Sequence, residues 1–385
     1  MKHLNTYITE YIVKKKLDKP IDSEDHYEYF PKTKRELIDI IKTLLDKGET
    51  NLNCIDTSKI TNMAFLFMNF TTHNADVSNW NVSNVTDMTK MFYDCENFNC
   101  DLSSWDVSNV KDMTEMFDNC KEFDCDLSNW NVSNVTSMRG MFKDCENFTG
   151  KGLDKWDVSN VISMNDMIHD CINFNCDISK WNVSNVTNME RMFLGCEKLN
   201  CDLSNWNVSN VKCMIKTFEL CENFNCDLSN WDIRNVKYMD NMFNGCINFE
   251  GKGLNKWNVN NVESMVSMFY KCKKLNCDLS KWNVSNVKNM HAMFKYCDNF
   301  DCDLSGWDIS NVEDMYAMFE GCSKFKGKGL ENWNVSNVTI TEYMFYKCIN
   351  FDCDLSKWDV SKVKDMDYMF YKCDSLKNKP TWYKE

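Results

Sequence analysis

Residues 105–130 read WDVSNVKDMTEMFDNCKEFDCDLSNW, and the same pattern recurs down almost the whole chain. Its Trp returns at positions 80, 105, 130, 156, 181, 206, 231, 257, 282, 307, 333 and 358, in steps of 25 or 26 residues. A fixed period of this size marks a solenoid, in which each unit is too small to bury its apolar face alone and does so by stacking on its neighbours.

Within the unit, Phe98, Cys100 and Leu102 alternate with Asn99 and Asp101. That period of two predicts a short strand with one face buried. Two residues then turn a corner, and Trp105 and Val107 resume the alternation in a new direction. Ser108 and Asn109 make a turn or helix-cap pair, because short polar side chains bond nearby backbone groups. Val110, Met113, Met116 with Phe117, and Cys120 follow at the spacing of the inward stripe of a short helix or 3₁₀ segment. The expected architecture is an α/β repeat solenoid with one short parallel strand and one short helical turn per repeat. Strands stacked about 4.8 Å apart would make about 13 turns into a rod on the order of 60 Å long.

The unit W-[ND]-V-S-N-V-x-x-M-x-x-M-F-x-x-C-x-x-F-[ND]-C-D-L-S resembles the repeat of the BspA-like leucine-rich repeat proteins, a family of bacterial surface repeats of about this length. The resemblance spans roughly residues 51–378. It implies a right-handed, leucine-rich-repeat-like solenoid. It also implies a binding or adhesion module for a protein or glycan partner, often at a cell surface. The Cys before D-L-S or D-I-S stands where many relatives have a polar residue.

The chain divides into an N-terminal helical region and cap (1–50), the repeat array (51–378) and a tail (379–385). Leu4, Tyr7, Ile8, Tyr11 and Ile12 fit one helical face. Thr33 and Glu36 form a capping box that opens a second helix. That helix bears Leu37, Ile40, Ile41, Leu44 and Leu45, stops at Gly48, and is placed to cover the apolar end of the first turn. The first repeat deviates: Phe70 and His73 stand where Cys and Phe belong. Three repeats are one residue longer and carry G-K-G-L at 150–153, 251–254 and 327–330, read as bulges in a strand ladder. The Lys- and Pro-containing stretch at 377–380 blunts the far end only lightly, so self-association could run through it.

Of 22 Cys, twelve occupy the place after M-F-x-x (Cys171 follows M-I-x-x and Cys221 follows T-F-x-x) and eight precede D-L-S or D-I-S. They fall on core columns, where thiols act as small hydrophobes rather than disulfide partners. Reduced thiols and the lack of an apolar leader favour the cytoplasm, whereas the resemblance favours the cell surface. No stretch has the length and apolarity of a transmembrane helix, so no membrane insertion is expected. A net charge of −13 disfavours nucleic acid. The five His are scattered, and no nucleophile elbow, phosphate loop or H-E-x-x-H is present, so neither an enzyme nor a cofactor is expected. C-x₄-C pairs keep a thiol-rich metal binder as a weaker alternative, and a structural spacer or self-assembling element is another. The Asp column at 101, 126, 177, 202, 227, 278, 303 and 354 offers too few ligands per turn for a strong calcium row.

Positions flanking M-x-x-M-F vary from repeat to repeat, and Tyr accumulates there late in the chain. Tyr238, Tyr270, Tyr296, Tyr316, Tyr343, Tyr346, Tyr368 and Tyr371 are therefore the expected partner-binding residues, against Tyr93 alone in the early repeats.

Overall fold

The computed structural model describes residues 27–68, 70 and 74–384. The helix expected over Leu4–Ile12 and the place of His73 lie outside them. The described residues form a solenoid of stacked turns around one continuous hydrophobic core.

One α-helix is present among the described residues, α1 (Lys34–Leu45). Thr33 is its N-cap and accepts a hydrogen bond from Glu36 N, while the Glu36 carboxylate accepts from Lys32 N at 2.6 Å. The capping chemistry read from the sequence therefore forms, with the return bond one residue earlier than in a standard box. Leu37, Ile41, Leu44 and Leu45 are buried and join the core of the array. Lys34 donates its ammonium to the Asn62 side chain and to the Ala64 carbonyl, tying the helix to the first turn.

Neither the strand nor the helical turn expected in each repeat forms among the described residues. Each repeat is instead a succession of tight turns closed by i→i+3 bonds. In one unit these run Trp105 N to Leu102 O, Val110 N to Val107 O, Met116 N to Met113 O, Cys120 N to Phe117 O and Phe123 N to Cys120 O. The apolar residues spaced by three mark the two ends of each turn, not one face of a helix. Parallel pairing is reduced to isolated bridges, one per repeat. From Asn62 onward they lie on the column Asp87, Asp112, Ser137, Ser163; at the place of Phe98–Leu102 the one bridge is Asn51 with Asp76, at the start of the array.

What joins one repeat to the next is a one-directional ladder. The N–H groups of Met88, Lys90, Phe92 and Asp94 donate to the carbonyls of Asp112, Thr114, Met116 and Asp118. The same set recurs along the array, with one or two bonds per repeat running back, such as Lys111 N to Thr86 O and Glu122 N to Glu96 O. Two backbone positions per repeat must take positive φ to aim alternate N–H groups forward. Lys90 (φ 53°) and Asp94 (φ 60°) do so, as do Glu115 and Asn119 in the next turn. Glycine holds some of these places, at Gly140, Gly195, Gly245 and Gly321.

The core is a set of columns. Every described Trp is buried or half-buried and donates its indole N–H to a carbonyl of the previous turn; Trp206, for example, donates to Ile178 O at 3.1 Å. Adjacent rings stack nearly parallel, as in Trp105–Trp130 at 6.4 Å and 1°. Trp382, read as part of the tail, continues the column by stacking on Trp358 at 6.4 Å and 4°. Two buried Thr replace Met without leaving polar atoms stranded: Thr217 donates to Met189 O and Thr341 to Asp365 O.

The two Cys columns differ. All twelve thiols after M-F-x-x are buried, and their Sγ–H groups donate to the Phe-column carbonyl one turn back, as in Cys120 to Phe92 O at 3.1 Å. In the second column the sulfur accepts. Leu102 N donates to Cys125 Sγ at 3.2 Å and Leu203 N to Cys226 Sγ at 3.1 Å. Where the next repeat carries G-K-G-L, its Lys carbonyl takes that N–H instead, as in Leu127 N to Lys151 O. These longer repeats are not bulges. Each turns through a single 3₁₀ turn, Leu153–Lys155, Leu254–Lys256 or Leu330–Asn332, entered from a glycine at φ near 90°. A Cβ on Gly152 would collide with the Ser128 backbone, so no other residue fits. The glycine at the Cys place also uncovers the thiol of the following repeat: Cys176, Cys277 and Cys353 are only partly buried, as is Cys201.

Two outcomes test this packing. Trp206→Ala removes a ring that is 1% exposed, and is expected to cost about 3–5 kcal/mol in chemical denaturation. A cost below about 1 kcal/mol would mean that the column does not carry the core. Under native maleimide labelling, the partly buried Cys54, Cys176, Cys201, Cys213, Cys277 and Cys353 are expected to react first, and the twelve thiols of the first column only after denaturant is added. Equal rates in the two columns would contradict the burial pattern.

Candidate interaction surface

The side chains beside the ladder stack into four columns, because each turn repeats the position of the one before. The column of Thr89 carries His291, Tyr316, Glu342 and Asp367. That of Lys90 carries Tyr343 and Tyr368. That of Tyr93 carries Tyr270, Tyr346 and Tyr371, and that of Asp94 carries Tyr296, Lys347 and Lys372.

Five of the eight candidate tyrosines form one cluster. Tyr343 and Tyr368 stack at 5.3 Å and 9°, and Tyr346 and Tyr371 at 5.2 Å and 14°. Edge contacts at 5.4 Å and 6.2 Å link Tyr343 to Tyr346 and Tyr368 to Tyr371. Tyr316 meets Tyr343 edge-on at 5.9 Å and stacks on His291 at 4.7 Å. Tyr368 and Tyr371 are 53% and 46% exposed. Tyr270 and Tyr296 form a separate pair at 5.8 Å. The Tyr296 hydroxyl donates to Glu320 at 2.6 Å, which commits it to an internal ion-pair group with Lys295. Tyr238 stands apart on the bridge column, exposed and without a ring contact among the described residues.

Charge flanks the cluster with opposite sign on its two sides. Glu342, Asp365 and Asp367 lie on one side. Burial, followed by the nearby Asp365 and Asp367 carboxylates, pushes the Glu342 carboxyl up. On the other side the Lys347 and Lys372 ammoniums sit 4.9 Å and 5.7 Å from the Tyr346 and Tyr371 ring centres. Sequence reasoning missed His291 and this acidic flank. Aligning the repeats column by column would have placed both beside the tyrosines.

The other candidate chemistries have structural duties. The Asp column makes turns: Asp101, Asp202 and Asp278 accept from the N–H of Ser103, Ser204 and Ser280 at 2.9 Å each. These carboxylates are thereby bound to their own backbone two residues on. Burial pushes the Cys95 thiol up to about 12 and the Cys120 thiol well above its ordinary value, which works against thiolate ligands for a metal. Shallow grooves on the remaining faces are lined by Asn, Lys and Glu side chains without a buried catalytic group. No helix among the described residues is long and apolar enough to cross a membrane.

A family model described as "Mycoplasma protein of unknown function, DUF285" matches residues 40–152, 136–252, 214–329 and 302–384. Similar solved structures include a leucine-rich repeat protein from Eubacterium ventriosum, 15% identical over 90% of this chain and 89% of that one, with a TM-score of 0.48. A leucine-rich repeat protein from Bacteroides ovatus is 13% identical over 83% of this chain and 81% of that one, with a TM-score of 0.42. No curated protein matches the chain.

The Asp turns imply a direction of acid sensitivity. Hydrogen bonds from Ser179, Ser204 and Ser280 hold the carboxyls of Asp177, Asp202 and Asp278 below the usual carboxylate range, and Lys328 together with Ser305 holds Asp303 at about 2. A depressed native pKa stabilises the fold above the ordinary carboxylate pKa, and that stability is lost as pH falls through the native value. Stability is therefore expected to fall between about pH 4 and pH 2. Asn accepts the same turn bond in other places, as Asn81 does from Ser83 N. Asp177→Asn, Asp202→Asn and Asp278→Asn combined should thus move the acid midpoint of the circular-dichroism transition to lower pH. An unchanged midpoint would mean that these turns do not report on acid unfolding.

Proposed function

The chain belongs to the DUF285 family of Mycoplasma proteins of unknown function, and we propose that it is a non-enzymatic binding module whose partner is a protein. The observation that carries this reading is the cluster of Tyr316, Tyr343, Tyr346, Tyr368 and Tyr371 on an exposed side of the array. Tyrosine supplies large apolar contact at low entropic cost and keeps a polar tip, which is why it is enriched at interfaces. A rigid repeat scaffold fixes these rings before a partner arrives, which lowers the ordering cost of binding. The likeness of the repeat to the BspA-like type supports the same reading.

Ring geometry favours protein over glycan. A sugar stacks on an open aromatic face, but Tyr343 and Tyr368, and Tyr346 and Tyr371, spend their inner faces on each other. Ring edges, hydroxyls and the unstacked faces of Tyr368 and Tyr371 remain, between an acidic flank and a basic one. A protein surface with charges in the opposite order complements such a strip, and this arrangement selects for orientation as well as affinity. Tyr270, Tyr296 and Tyr238 fall outside the proposed centre.

Affinity capture from cell extract with the full chain as bait is the direct test. Replacing Tyr316, Tyr343, Tyr346 and Tyr368 together by Ser should abolish capture and leave thermal unfolding nearly unchanged. Capture that survives this change but is lost with Asp202→Ala, Asp227→Ala and Asp278→Ala would move the binding face to the Asp turns. Failure of the unaltered array to retain any partner would favour a spacer.

A further inference from the structure

We propose that Asp144, His169 and Asp170 form a binding site for a divalent transition cation, of the zinc or manganese class, on the early half of the array. One ligand atom from each of the three lies within 4.8 Å of the others, the one such group of His, Cys, Asp and Glu side chains among the described residues. Two carboxylate oxygens and one imidazole nitrogen suit a borderline cation, with water completing the coordination.

The imidazole is already oriented for this role. His169 Nδ1 lies 3.2 Å from Asp166 Oδ1, and Nε2 lies 3.4 Å from Asp170 Oδ2. A carboxylate on one ring nitrogen fixes the tautomer and turns the other nitrogen toward the metal, the usual arrangement behind a ligating His. The ligand backbones are held by the inter-turn ladder, through Asp144 N to His169 O at 2.8 Å and Asp170 N to Leu194 O at 2.7 Å. Asp144 and Asp170 take positive φ, at 57° and 53°. The next place in that column is Gly195, where a Cβ would collide with Asp170 Oδ1, so the glycine keeps room beside the carboxylate.

Three carboxylates, Asp144, Asp166 and Asp170, face Lys143, His169 and Arg191. Lys143 reaches Asp144 Oδ2 at 3.2 Å, and the charge of Arg191 acts on Asp166. Burial lowers the His169 pKa, but the bonds to Asp166 and Asp170 outweigh it and hold the imidazole up at about 9. No other repeat places His in this column, so the site occurs once in the array.

Titration with cobalt chloride reads coordination directly, and zinc chloride and manganese chloride titrations by calorimetry read affinity. The expected result is one saturable equivalent per chain, with a visible cobalt band and no thiolate charge-transfer band in the near ultraviolet. His169→Asn and Asp170→Asn should each weaken binding at least about tenfold, and Asp166→Asn, which only orients the ring, by about 10–100-fold. Metal-free thermal unfolding confirms that each variant is folded, and His169→Gln serves if His169→Asn is not. Absence of saturable binding overturns the proposal. So does affinity unchanged in both His169 variants, or a charge-transfer band assigning the metal to the thiols.

Discussion

Everything in this molecule depends on how one turn hydrogen-bonds to the next. The described array contains no extended strand and no α-helix, and only three single 3₁₀ turns, so its backbone has no other regular source of pairing. Four N–H groups per repeat reach forward to four carbonyls, and the tight turns between them satisfy most of the remaining groups within the repeat. Side chains complete the count. Trp indoles, Cys thiols and Asn amides such as Asn134 close bonds to carbonyls of the preceding turn. An unpaired backbone group in so apolar a core would cost roughly 1–3 kcal/mol, which explains why these residue types recur where a merely apolar residue would pack as well.

The same bonds explain which features of the fold were legible in the sequence. The 25-residue period, the core columns and the entry of α1 follow from spacing and composition, because burial requires an apolar residue at each of those places in every turn. The path of the chain did not follow. Residues spaced by three, such as Val107 with Val110 and Met113 with Met116, are the two ends of closed turns, yet they carry the same spacing as a helical stripe. Left-handed residues are what separate the two conformations. In this chain Lys90, Glu115, Arg191 and Tyr343 adopt them, and none of these types announces a positive φ. The signal was present in Gly140, Gly195, Gly245 and Gly321, visible only when repeats are aligned by column.

The candidate surface shows the same division. Variable positions around M-x-x-M-F were readable as exposed, and five of eight tyrosines converge there. Convergence itself depends on which places are adjacent across a turn and which are adjacent along the chain. Tyr343 and Tyr346 meet within one turn, and Tyr343 and Tyr368 meet across two, whereas Tyr238 sits on the bridge column and meets neither. Asp166, His169 and Asp170 likewise look like ordinary polar variation until the stack brings Asp144 beside them.

The ladder also has an electrical sense. With about four bonds per repeat running forward and one or two running back, peptide dipoles add along the solenoid axis instead of cancelling as they do across an ordinary sheet. The sense is opposite to that of an α-helix: carbonyls point toward the start of the chain, so the negative pole lies at the first turn. There the Lys34 ammonium meets the Ala64 carbonyl, a cation on the end of the dipole that attracts it. Helix α1 thus supplies a counter-charge to the stack as well as an apolar lid.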